Sequence, residues 1–138
     1  MSRPARAQRR LLRGEEGIAT TEAVLVTPVL LLLVMTVFQF GLWYHAQHVA
    51  TAAAEEGART ARAEQGTASA GQARAESFLE QAGPSIVHDR TVAATRTADR
   101  VTVTVHGTAV AVIPGLHLTV DATATSPVER FDPDTGQP

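Results

Sequence analysis

The sequence has no cysteine, and all twelve of its basic residues are arginine. The missing cysteine excludes a disulfide framework, a thiolate metal site and a thiol nucleophile, whatever compartment the protein occupies. No G-x-S-x-G elbow, glycine-rich phosphate loop or recognisably spaced carboxylate pair is present, so the chain does not read as an enzyme and no cofactor or small-molecule substrate is expected. At 138 residues it holds at most one modest domain, which excludes a large enzyme. Positive charge is scarce where a nucleic-acid-binding body would need it. After Tyr44 there are seven arginines against eleven acidic residues, a net of −4, which argues against nucleic acid and against a basic membrane-surface patch.

Formal charge is also missing from Ala23 to Tyr44, 22 residues in which Thr27, Thr36 and Gln39 are the polar side chains. As a helix this run measures roughly 33 Å, enough to cross a hydrocarbon core of about 30 Å. Pro28 removes one backbone donor and is expected to kink the helix. Trp43 and Tyr44 close the run as an interfacial aromatic pair. Arg3, Arg6, Arg9, Arg10 and Arg13 precede the run and the next arginine is Arg59. That asymmetry predicts an N-terminus in the cytoplasm and an extracytoplasmic C-terminal region of a single-pass protein in the cytoplasmic membrane. A rival reading is a secretory signal cut after Ala50-Thr51-Ala52, although the apolar run exceeds the usual length of a signal core.

At the entrance to the run stands Gly17-Ile18-Ala19-Thr20-Thr21-Glu22. A carboxylate costs about 2.5–3.5 kcal/mol at the bilayer centre and less near the interface, so Glu22 is either a functional group or a residue snorkelling to the headgroups beside the helix dipole. Glycine at position 17, without a Cβ, permits an extended, unhindered backbone. A glycine followed by glutamate at the fifth position beyond it resembles the processing site of type IV prepilins. The wider pattern most resembles the TadE-like minor pilins, or pseudopilins, of the tight-adherence (Tad/Flp) pilus system. It comprises Arg9-Arg10-Leu11-Leu12-Arg13, the Gly17 to Glu22 junction, Val26-Thr27-Pro28-Val29-Leu30 and Ala52-Ala53-Ala54-Glu55-Glu56-Gly57-Ala58-Arg59. The resemblance covers residues 9 to 65.

The resemblance implies that a membrane-embedded prepilin peptidase cuts between Gly17 and Ile18, releasing the leader 1–17. The new Ile18 ammonium would then lie one helical turn from Glu22, and the glutamate would align an incoming subunit with its neighbour. The partners so implied are the peptidase, other Tad pilins and pseudopilins, the pilus assembly platform and membrane lipid. Position 18 is Ile and position 23 is Ala, where major pilins carry phenylalanine and tyrosine; both fit a minor component. Glu15 and Glu16 stand where a basic residue often precedes the cut.

Beyond the membrane helix, 18–44, an alanine-rich helical stalk is expected over 45–83, with Glu55 and Arg59 at the favourable i,i+4 spacing. Ala46, Ala50, Ala53, Gly57 and Ala61 form a small-residue stripe that permits close approach of another helix. Gly66 to Gly71 reads as a break, and Gln72 to Gln81 as a second helix ending at Gly83-Pro84. A small antiparallel β region is expected over 84–126. In it Val101, Val103 and Val105 alternate with threonine, a bulge near Gly107 shifts the parity to Val110 and Val112, and Pro114-Gly115 turns the chain into Leu116, Leu118, Val120, Ala122 and Ala124. Ile86-Val87 and Val92 form a further short strand, and the stalk helix or a partner must cover the apolar face. Residues 127–138 read as a mobile tail. The expected class is therefore an α+β membrane protein: a long N-terminal helix followed by a small antiparallel hairpin or sheet. His45 and His48, three apart beside the aromatic pair, read as polar boundary residues, and His88, His106 and His117 as surface residues. Two other functional readings stay open at this stage, a single-pass anchored binding module whose Gly17 is never cut and a secreted product beginning at Ala53.

Overall fold

The computed structural model describes residues 5–82 and 84–129, with side chains from Glu22 onward. Helix α1 runs from Ala5 to Arg62 and helix α2 from Ala68 to Ala82, followed by strands β1 (Val87–Arg96), β2 (Arg100–Ala109) and β3 (Thr119–Pro127). The strands form one antiparallel sheet in the order β1-β2-β3. The class is the expected α+β. The chain divides at Phe38/Gln39 into an N-terminal unit and a unit containing the rest of α1, α2 and the sheet.

In the first unit the side chains from Glu22 to Phe38 are largely exposed; Leu25 and Val29 are 68% and 67% exposed. The helix therefore needs an apolar surrounding. Glu22–Arg62 contains a stretch long and apolar enough to cross a membrane. The helix also includes the residues before Gly17 from Ala5 onward, and Gly17 itself is helical. The residues preceding it, Arg9-Arg10-Leu11-Leu12-Arg13, are good helix formers, and a single glycine costs a helix only about 1 kcal/mol.

The second unit is built from very small side chains. Along α1, Ala46, Ala50, Ala53, Ala54, Ala58 and Ala61 are buried against Val101, Val103, Val105, Val120 and Ala122 of the sheet and Ala75 and Leu79 of α2. The small-residue stripe expected to let another element approach closely is thus buried inside the chain. The valine face of the sheet needs a cover, and the alanines let the helix backbone lie close enough to provide it. Gly57 and Gly71 mark the crossing of the helices. A Cβ built on Gly57 would sit 2.7 Å from the Gly71 carbonyl oxygen, and one on Gly71 would sit 2.6 Å from the Ala61 Cβ. Gly71 therefore belongs inside α2 and not to the break. The break is residues 63–67, and α2 starts earlier than expected because the Thr67 hydroxyl caps it, accepting from the Ala70 N–H at 3.1 Å. Arg96 closes the preceding helix, donating from one guanidinium nitrogen to the carbonyls of Ala61, Ala63 and Gly66. Arg74 makes two bonds to one oxygen of Glu56, at 3.1 and 2.9 Å, and ties α2 to α1.

The bulge lies in β1, between His88 and Thr91, and not in β2 as the valine parity implied. It faces Gly107, where a Cβ would come within 2.6 Å of Val87 Cγ1, so the glycine leaves room for the partner's extra residues. Asp89, within the bulge, has φ 47°. Strand β2 ends at Ala109; Val110 and Val112 are in a loop, and β3 begins at Thr119 instead of Leu116. The outward face of the sheet is mostly threonine, with Thr102 opposite Thr125 and Thr104 opposite Thr123. The expected tail at 127 also starts too early. Pro127 is in β3, Val128 N–H donates to the Asp99 carbonyl, and Glu129 is held through its N–H to the Arg62 carbonyl and by an ion pair with Arg62. Residues 130–138 and Gly83 lie outside the described residues.

Candidate functional site

The residues singled out by sequence lie along α1. Gly17 and Ile18 are within its helical backbone, and the Ile18 side chain lies outside the described residues. Glu22 is exposed and four residues from Ile18, one turn along a continuous helix. It borders Ala23, Val24 and Leu25, all exposed, so its carboxylate stands at the edge of an apolar belt. The helix continues through Pro28. Lacking an N–H, Pro28 leaves the Val24 carbonyl without its intrahelical donor. This local weakness in the helix lies six residues from Glu22.

A second constellation, which sequence reasoning passed over, stands where α1 meets the sheet. Gln39 is fully buried, the one buried polar side chain among the described residues. Its Oε1 accepts from the N–H groups of Val112 at 2.7 Å and Ile113 at 3.2 Å, and its Nε2 donates to the Val110 carbonyl at 3.1 Å. One turn on, Trp43 Nε1 donates to the Thr119 carbonyl at 2.8 Å, and a further turn on Gln47 Nε2 donates to the Asp121 carbonyl. These three side chains recur at i,i+4 on one helix face and bind backbone of the β2–β3 loop and of β3. Leu118 directs its carbonyl to Ala109 of β2. By strand alternation, Thr119 and Asp121 direct theirs away from β2, to the sheet edge that α1 covers. Trp43 is accordingly half-buried against the sheet, whereas its expected partner Tyr44 is exposed and meets His48 edge-on at 4.4 Å between ring centroids. The signal available in the sequence was a lone amide in an uncharged run.

His45, His48, His88 and His117 are exposed, and His106 Nδ1 pairs with Asp121 on the outward face of the sheet. Among the described residues no three histidine or carboxylate groups gather into a metal cluster. The arrangement offers packing and anchoring surfaces.

Residues 17–59 match the family model described as TadE-like protein. The match begins at Gly17, spans Glu22, Pro28 and Gln39, and ends at Arg59, within α1. It agrees with the resemblance read from the sequence over this segment, whereas α2 and the sheet lie beyond it. No curated protein and no solved structure matches the chain.

Proposed function

We propose, from the TadE-like segment at residues 17–59, that the protein is a structural component of a Tad-type pilus system: a pseudopilin inserted with its N-terminus in the cytoplasm, cut after Gly17 by a prepilin peptidase, and held by α1 until it joins or primes pilus assembly. One observation carries this reading. The family match starts at the glycine of a Gly17…Glu22 junction, and that junction opens onto a continuous, laterally exposed apolar helix. After cleavage the Ile18 ammonium and the Glu22 carboxylate stand one turn apart, where opposite charges attract and the low dielectric strengthens that attraction. Neutralising the pair within a subunit, or between a new terminus and a neighbour's Glu22, lowers the cost of holding either charge near lipid. The function is packing, with the membrane and other pilus components as partners.

The experiment is Glu22→Ala in the native host. The expected result is normal membrane insertion with loss of co-purification with the other pilins and loss of pili. Normal assembly of the variant would count against this role for Glu22 and favour an anchored extracytoplasmic binding module whose leader is never removed.

A further inference from the structure

The β2–β3 loop, Val110–Leu118, contains no formal charge apart from the imidazole of His117. Apart from the exposed His117, its outward residues are apolar: Val112 is 39% exposed, Pro114 and Gly115 are exposed, and Ile113, Leu116 and Leu118 are half-buried. A charged or hydroxylated tip is the ordinary composition of a water-facing loop, and this one departs from it. The tip is also preformed. Leu116 N–H donates to the Ile113 carbonyl at 3.2 Å across Pro114-Gly115, and Gly115 adopts φ 84°, as the third residue of a type II turn requires.

The three bonds from Gln39 fix this loop at one level on α1. Gln39 lies inside the uncharged run, between Phe38, 64% exposed, and Phe40, 54% exposed, and five residues before Tyr44. Five residues of helix rise about 7.5 Å. With Tyr44 at the headgroup level, Gln39 and the backbone bonded to it lie about that much deeper, at the acyl boundary. An irregular segment tolerates such a position only when its polar backbone is satisfied within the protein. Where the loop meets Gln39 that condition holds for its backbone groups: Val112 and Ile113 donate to Gln39, Val110 accepts from it, Leu118 accepts from Ala109, and Pro114 has no N–H to satisfy.

We infer that the β2–β3 loop is a second membrane contact: Val112, Ile113 and Pro114 rest in the headgroup–acyl boundary of the bilayer that α1 crosses, with Gln39 as the clamp that sets their depth. The inference rests on the reading of α1 as a membrane span. A loop seated beside the helix opposes tilting of the exported unit, so its sheet would keep a fixed face toward assembly partners.

Because the chain has no cysteine, a single introduced thiol reports one site. The full chain carrying Val112→Cys labelled with bimane, in phosphatidylcholine/phosphatidylglycerol vesicles, is compared with Leu31→Cys in the apolar run and Thr95→Cys on the outward sheet face. The expected result is a blue-shifted Val112→Cys emission, quenched by a nitroxide lipid labelled near the headgroup and protected from aqueous iodide, while Thr95→Cys is quenched by iodide alone. Iodide quenching of Val112→Cys equal to that of Thr95→Cys, with Leu31→Cys protected, would overturn the loop contact and leave the span standing. Protection from both quenchers would overturn it in favour of a protein neighbour, and iodide quenching of Leu31→Cys would remove the span and the loop contact together.

Discussion

Gly57→Val should destabilise the unit that begins at Gln39 by about 3 kcal/mol, near the upper end of overpacking costs. A Cβ at this position meets the Gly71 carbonyl oxygen at 2.7 Å, the Ala75 Cβ at 3.0 Å and the Val103 Cγ1 at 3.3 Å. The first of these is backbone, so relief requires moving one helix away from the other. Separation would strip contact from Ala61, Ala75 and Val103 together, because the core is assembled from side chains too short to follow. Valine also restricts χ1 in a helix, which adds to the loss. Gly57→Ala should lose less, since the higher helix propensity of alanine returns up to about 1 kcal/mol. The single tryptophan, Trp43, is bonded to Thr119 and supplies the readout: its fluorescence on heating the full chain in detergent should show a midpoint lower by roughly 12–24 °C. Ala73→Val, on the exposed face of α2, is the control and should shift the midpoint only slightly. Equal shifts for the two variants would refute the close helix crossing.

Gln39→Leu should cost about 2–4 kcal/mol, because the substitution leaves two N–H groups and one carbonyl without partners and each buried orphan costs about 1–3 kcal/mol before relaxation. Leucine fills a similar volume, so the loss is one of hydrogen bonds and not of packing. The amides of Val112 and Ile113 should gain hydrogen exchange well beyond the increase elsewhere in the sheet, since Gln39 Oε1 is the acceptor for both. Unchanged protection at those two amides would mean that the clamp does not form.

The positions where the sequence misled share a cause. Val101, Val103 and Val105 announced a strand with one buried face because alternation is a local property, and the threonines between them do form the outer face. Val110 and Val112 seemed to continue the strand on the opposite parity, yet their backbone groups are engaged by Gln39, more than seventy residues away in sequence. No window on either segment contains that pairing. Likewise, the small-residue stripe revealed that something must approach α1 closely but not whether it came from another subunit; Gly71 and the valine face of the same chain answered it. The short strand expected near Val92 extends to ten residues because its register with β2 aligns threonine and alanine positions whose own hydrophobicity is weak. The resemblance over the Gly17 to Glu22 spacing was readable because its information lies along one segment of chain, and the family match starts at its first residue. Gln39 was not, because a single amide in an apolar run reads as a tolerated blemish until its partners are known.

In the proposed role Gly17 is the processing site and Ile18 the mature terminus. The most direct test is N-terminal sequencing, with intact mass, of the protein extracted from membranes of its native host with its neighbouring genes present. The expected chain begins at Ile18, with Glu22 as its fifth residue. A membrane-bound chain retaining residues 1–17 would contradict the claim, and so would a released product beginning at Ala53.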